Sequence, residues 1–183
     1  MAQPWTWVGE HALLRGFDGD LAQANAMAHA LADVVRSTAA HEIEDVVPGA
    51  RSVLVRLRPG AEPSSELLAA LGSSLEPRTG EERPAVEIAV RYGGDDGPDL
   101  ADVARATGLD ASEVVRRHAA TTYTVAFIGF SPGFAYLLGL PPELATSRLE
   151  TPRTRIPAGS VGIGGAYTGV YPRETPGGWR LIG

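Results

Sequence analysis

The chain has 183 residues, long enough for one domain or two small ones with a real core, and a formal charge of −6. It contains no cysteine, which excludes disulfides, a thiolate nucleophile and cysteine metal sites. All sixteen basic residues are arginine, which excludes a Schiff-base lysine and a phosphate loop built on Gly-Lys.

The start, MAQPWTWVGEH, lacks the basic and apolar regions of a signal peptide, and no apolar run reaches 18 residues. The expected compartment is the cytoplasm. Trp5 to Val8 alternates and predicts a short strand. Asp20 is placed to cap a helix over LAQANAMAHALADVV. Glu42 to Val47 and Ser52 to Leu57 predict two strands around a turn at Pro48-Gly49, with Val53, Val55 and Leu57 on one face. A second helix is expected over Ser64 to Leu75, and a fourth strand over Ala85 to Tyr92, where Val86, Ile88, Val90 and Tyr92 share a face. The order β-α-β-β-α-β is that of a split βαβ, or ferredoxin-like, domain over residues 1–92.

Gly93 to Pro98 reads as a linker. In the connector over residues 93–122, Asp99 is expected to cap a helix from Leu100 to Thr107. Asp110 with Glu113 forms a capping-box start for Ala111 to His118. This pair resembles a helix-turn-helix that would present Arg116 and Arg117 to DNA. The acidic surroundings favour a plain helical hairpin instead. Residues 1–126 carry 11 arginines and 19 acids, whereas residues 127–183 carry 5 and 3. The front half therefore argues against nucleic acid and anionic membrane, and the back half has the sign to receive a small anion.

From Tyr123 the pattern turns to strand. Residues 127–183 hold 11 of the 22 glycines and 7 of the 14 prolines, so long helices are excluded there and short strands with rigid turns are expected. Gly129-Phe130-Ser131-Pro132-Gly133 matches the serine nucleophile elbow literally. That elbow needs the backbone N–H of the residue after the serine, and Pro132 has none. It also needs a histidine downstream, and His11, His29, His41 and His118 all lie upstream. These histidines lack metal spacing, so no metal site is expected, and His118 reads as a packing or capping residue. The run Gly159 to Gly165 is either a set of turns or an anion nest. Arg153 and Arg155 share a face in extended backbone. They either grip one carboxylate or phosphate, or pair with Glu150 or Glu174. Phe127, Phe130, Phe134 and Tyr136 are core or pocket wall.

Three motifs stand in one order. They are Gly129-Phe130-Ser131-Pro132-Gly133-Phe134, then Thr151 to Gly162 (TPRTRIPAGSVG), then Tyr171-Pro172 through Pro176-Gly177-Gly178-Trp179. Together they resemble the 5-oxoprolinase B-subunit family, also called allophanate hydrolase subunit 1 or the Kip-type sporulation-kinase inhibitors. The resemblance implies an N-terminal ferredoxin-like domain and a cyclophilin-like β-barrel over residues 123–183. Because family members look longer past Trp-x-Leu-Ile-Gly, the barrel is expected to be incomplete, with Trp179 to Ile182 leaving an open sheet edge. It further implies a subunit of an ATP-dependent amide or lactam hydrolase, cutting 5-oxoproline or allophanate with a carboxyltransferase-like partner subunit. ATP is expected to be handled with that partner, and the catalytic residues are not assigned. Expected to bind the small carboxylate or amide substrate are Arg153, Arg155, Ser131, Gly133, Phe134, Ser160 and Gly162. The alternatives are a module that inhibits a histidine kinase and a DNA-binding regulator.

Overall fold

A computed structural model describes residues 4–38, 40–76 and 85–183. The chain divides into two compact units, residues 1–83 and 84–183. Its architecture is mixed α/β with antiparallel sheets.

In the first unit, β1 (Trp5–Trp7) and β2 (Ala12–Gly16) form a hairpin, followed by α1 (Leu21–Ser37), β3 (Ile43–Pro48), β4 (Ser52–Leu57) and α2 (Ser65–Gly72). The sheet order is β1-β2-β4-β3, all antiparallel. Asp20 caps α1 as expected, its Oδ1 accepting from the backbone N–H of Ala22 and Gln23 at 2.9 and 3.2 Å. Ala24, Ala28, Leu31, Ala32 and Val35 recur at helical spacing and are all fully buried. From the sheet, Leu13, Val53, Val55 and Leu57 complete the core of this unit, with Leu67 and Leu71 from α2. Buried Glu42 accepts from the Ser64 N–H at 3.0 Å, and hydrogen bonding from Ser64 holds its carboxyl below the ordinary range.

The strand expected over Ala85 to Tyr92 is a correction, because no strand forms there and β1 holds the fourth place in the sheet. Val86 and Ile88 face solvent, while Val90 and Tyr92 pack into the second unit. The alternation is real but has no single buried face to serve. β2 is not visible in the sequence because ALLRG holds no β-branched residue.

The second unit opens with α3 (Leu100–Thr107) and α4 (Ala111–Ala120). Then come β5 (Thr124–Ile128), β6 (Ala135–Leu138), a 3-10 turn (Pro142–Leu144), β7 (Arg153–Ile156), β8 (Val161–Gly164), β9 (Tyr167–Val170), β10 (Thr175–Gly177) and β11 (Arg180–Leu181). One sheet has the order β11-β8-β9-β6-β5, and β7 pairs with β10. The period of two on β8 sorts two cores. Val161 and Ile163 join Leu100, Val103, Val114, Leu140 and Leu144. Gly162 and Gly164 lie on the opposite face, against Trp179.

Gly93 to Pro98 is not a free linker, which corrects that expectation. Gly93 N–H donates to Ile182 O at 3.0 Å, and Asp99 N–H donates to Leu181 O at 2.9 Å. A Cβ on Gly97 would sit 2.1 Å from Ile182 O, so only glycine fits. This segment covers the outer side of β11, and the sheet edge expected to be open is occupied. Among the described residues, no helix is long and apolar enough to cross a membrane.

Candidate functional site: an aromatic cleft in the second unit

The β5–β6 connection is the turn Gly129 to Phe134. Gly129 N–H donates to Phe134 O at 3.1 Å, and Phe134 N–H donates to Ser131 O at 3.0 Å. Within it Phe130 has φ 63°, a backbone state uncommon for a bulky residue, and the residue is 60% exposed. Phe134, by contrast, is buried. Its ring meets those of Phe130, Tyr136, Tyr171 and Trp179 edge-on, with centroids 5.0–5.5 Å apart. Edge-to-face packing suits the ring quadrupoles and fixes the cluster.

Trp179 lies on a glycine floor. A Cβ on Gly164 would come within 2.5 Å of the indole Nε1, and on Gly169 within 3.2 Å of its six-membered ring. Gly162 and Gly169 are paired across β8 and β9. The glycine run is therefore partly strand backbone cleared for an indole, not an anion nest. Tyr171 is clamped by its neighbours in the Pro157–Ser160 turn. Its N–H donates to Ser160 O at 2.9 Å, and its O accepts from Gly159 N–H at 2.8 Å. Burial pushes its hydroxyl pKa up.

These groups line a cleft of about 40 Å³ with Phe130, Phe134, Tyr136, Arg148, Tyr171, Gly177, Gly178 and Trp179 on its walls. The first unit has a larger and more open concavity, about 420 Å³, lined by Arg36, His41, Glu44, Asp45 and Arg58 among others. Its cations are already engaged, Arg36 with Val46 O and Asp33 and Arg58 with His41 O. The smaller cleft is the candidate site because two of the three sequence motifs build its walls.

The residues expected to bind substrate separate. Phe134 walls the cleft. Ser131 and Gly133 belong to the turn that carries Phe130 to the rim, and the Ser131 Oγ is buried without a hydrogen-bond partner among the described residues. Ser160 acts through its backbone on Tyr171, and Gly162 packs on Trp179. Arg153 and Arg155 do not converge. Arg153 makes a two-point pair with buried Asp99, at 2.7 and 2.8 Å, and Asp99 also accepts from Leu181 N–H at 2.7 Å. Arg155 pairs with Glu174 at 2.6 Å on the exposed surface. Both arginines do lie on one strand, β7, but carboxylates of this chain already engage both guanidinium groups.

Asp99 thus spends its side chain on Arg153 instead of capping α3, and the Asp110 side chain does not cap α4, which corrects both expectations. Glu113 instead takes Arg116 and Arg117, with Nε distances of 2.7 and 2.6 Å, and Arg117 also pairs with Glu143. These bonds hold the Glu113 pKa down to about 2. The arginines of the helical hairpin are therefore committed within the fold.

His118 is buried and fully partnered. Thr168 Oγ1 donates to Gly162 O at 3.0 Å, so it must accept from His118 Nε2–H at 2.8 Å. Nδ1 is then left to accept from the Tyr92 hydroxyl at 2.8 Å. Burial lowers its pKa to about 4, which suits a neutral packing residue.

Sequence reasoning misses Arg148, because nothing in its neighbourhood marks it. It is exposed, and no carboxylate or carbonyl partner is found for it among the described residues. Its flanks are anchored, since Arg180 Nε donates to Ser147 O at 3.0 Å and Leu149 N–H donates to Gly178 O at 2.7 Å. Among the described residues no cluster of His, Asp and Glu is suited to a metal.

The family described as carboxyltransferase domain, subdomain C and D, matches residues 4–183. The chain is 47% identical over 150 residues to the 5-oxoprolinase B-subunit of Escherichia coli O157:H7, covering 77% of this chain and 66% of that protein. It is 52% identical over 101 residues to the 5-oxoprolinase B-subunit of Bacillus subtilis (strain 168), covering 55% and 42%. The chain thus spans about two thirds of the first relative's length and less than half of the second's. Among solved structures, TTHA0988 is similar at TM-score 0.79 and 35% identity, over 94% of this chain and 34% of that one. The Kluyveromyces lactis urea amidolyase is similar in fold alone, at TM-score 0.71 and 20% identity over 97% of this chain and 12% of that one. On the match that runs from residue 4 to the last residue, the chain belongs to the carboxyltransferase domain, subdomain C and D, family, with the 5-oxoprolinase B-subunit proteins.

Proposed function

We propose that this chain forms part of an ATP-dependent 5-oxoprolinase complex that opens the lactam of 5-oxoproline to glutamate. The observation that carries the reading is the 47% identity to a named 5-oxoprolinase B-subunit across 77% of the chain. The aromatic cleft supports it through its walls, which are mainly aromatic with Arg148 as a charged group beside them, and its volume of about 40 Å³ holds part of a small molecule. In the balanced reaction the lactam, ATP and two waters give glutamate, ADP and phosphate. The lactam oxygen takes the phosphoryl group, one water attacks the activated carbon, the C–N bond breaks to free the amine, and a second water releases phosphate from the resulting acyl phosphate. This chain has no lysine, and part of its longest glycine run is spent as strand backbone under Trp179. The phosphoryl step is therefore assigned to a carboxyltransferase-like partner subunit, in the cytoplasm where ATP is supplied. Within this reading Phe134 and the Ser131–Gly133 turn serve the cleft directly, while Arg153, Arg155, Ser160 and Gly162 hold its surroundings. The first unit is read as ferredoxin-like with an N-terminal edge strand, and the second as cyclophilin-like.

Reconstitution tests the proposal. The chain and its partner subunits, purified together, are expected to release ADP only when 5-oxoproline is present. ADP release that responds to allophanate and ignores 5-oxoproline would move the substrate. Release by the partners alone at the full rate would remove this chain from the reaction.

A further inference from the structure

We infer that Arg148 is the carboxylate-recognising side chain of the aromatic cleft, and that the cleft takes the acid end of a small, flat-ringed ligand. The inference rests on the proposed 5-oxoprolinase function only for the ligand's identity. Charge is the first support. The arginines at 116, 117, 153, 155 and 180 are each held by a carboxylate or a carbonyl of this chain. Among the described residues Arg148 and Arg173 have neither, and of these two exposed arginines Arg148 is the one that lines the cleft. A planar guanidinium in that position matches a carboxylate with two parallel hydrogen bonds.

Position is the second support. The backbone bonds at Ser147 and Leu149 fix the segment on both sides of Arg148, so little backbone freedom is lost when a ligand binds. Size is the third. About 40 Å³ admits a carboxylate and its first carbons, not a nucleotide or a peptide segment. Beyond that point a ligand's ring meets the ring of Phe130, held exposed at the rim by its positive φ. Aromatic walls favour a flat ring over an extended polar chain.

Titration calorimetry on the full chain, alone and assembled with its partner subunits, tests this with three probes. They are 5-oxoproline, 2-pyrrolidone (the same lactam without the acid) and cyclopentanecarboxylate (a ring acid without the lactam). The expected result is that 5-oxoproline binds at least tenfold more tightly than 2-pyrrolidone. Arg148→Ala should erase that margin, Arg148→Lys should keep part of it, and Arg116→Ala, away from the cleft, should leave it intact. Arg148 is exposed, so unchanged melting temperatures serve as the folding control. Equal affinity for the lactams with and without the acid, unchanged affinity in Arg148→Ala, or no binding of either acid would each overturn the inference. Arg148-dependent binding of cyclopentanecarboxylate without binding of 5-oxoproline would sustain it and reject the 5-oxoprolinase reading.

Discussion

Glycine and tryptophan are matched residues in the second unit, because the Trp179 side chain occupies the space that Cβ atoms at 162, 164 and 169 would take. Gly164→Ala puts a methyl group 2.5 Å from Nε1 and should cost about 1–3 kcal/mol as an overpacked core site. Thermal melting measures the loss, and a shifted indole N–H resonance should accompany it. An unshifted resonance with wild-type melting would show that the floor has slack. His118 carries a different expectation. Its folded pKa, about 4, lies below the ordinary 6.5, so an unfolded chain binds the proton first as pH falls. The stability it confers is whole above about pH 6.5 and is lost as pH falls through about 4. At ~1.4 kcal/mol per unit the full span is about 3 kcal/mol. Urea unfolding of wild type against His118→Gln should show their difference narrowing over that window, and a difference independent of pH would contradict the buried neutral ring. Neither site is legible in the sequence, because each depends on partners far along the chain, Thr168 for His118 and Trp179 for Gly162, Gly164 and Gly169.

At the scale of elements, the Asp99–Arg153 pair ties the start of α3 to β7, and through Leu181 N–H it also holds β11. Arg153→Ala leaves a buried carboxylate with one backbone donor, and should cost about 3 kcal/mol. Melting and ligand titration on the same protein separate this from a binding role, since affinity for a small carboxylate should change little. Asp99→Asn should show only part of the loss, because an amide keeps one acceptor. Helices α1 and α2 are legible from their capping residues Asp20 and Ser64, and the strands β3 and β4 from an alternation that one core face absorbs. The Ala85–Tyr92 alternation looks the same and forms no strand, since Val90 and Tyr92 pack against a core that begins at Leu100. Gly93 to Pro98 has the composition of a linker, yet Gly97 is there because Ile182 O leaves no room for a side chain. Composition reports what backbone a segment can adopt, not what lies against it. The walls of the site are visible in the sequence through Phe130, Phe134, Tyr171 and Trp179 in two motifs. Spacing places Arg153 and Arg155 on one strand but cannot show that Asp99 and Glu174 lie beside them.

For the whole molecule, the hydrophobic clusters among the described residues fall one in residues 1–83 and two in residues 84–183, so each unit has its own core. A fragment of residues 84–183 should therefore fold by itself. A fragment that begins at Gly93 removes Val90 and the Tyr92 partner of His118, and should melt at lower temperature. Circular dichroism melting of both fragments checks this, and equal melting would assign residues 85–92 to no core. The same division partitions the chromophores. Trp5 and Trp7 lie in the first unit, with Trp7 43% exposed, while Trp179 is the second unit's single tryptophan and is buried among aromatic rings. Trp7 should therefore emit as a solvent-relaxed indole, whereas Trp179 should emit to the blue of it. With Trp5 and Trp7 replaced by phenylalanine, indole light from the protein comes from the wall of the cleft alone.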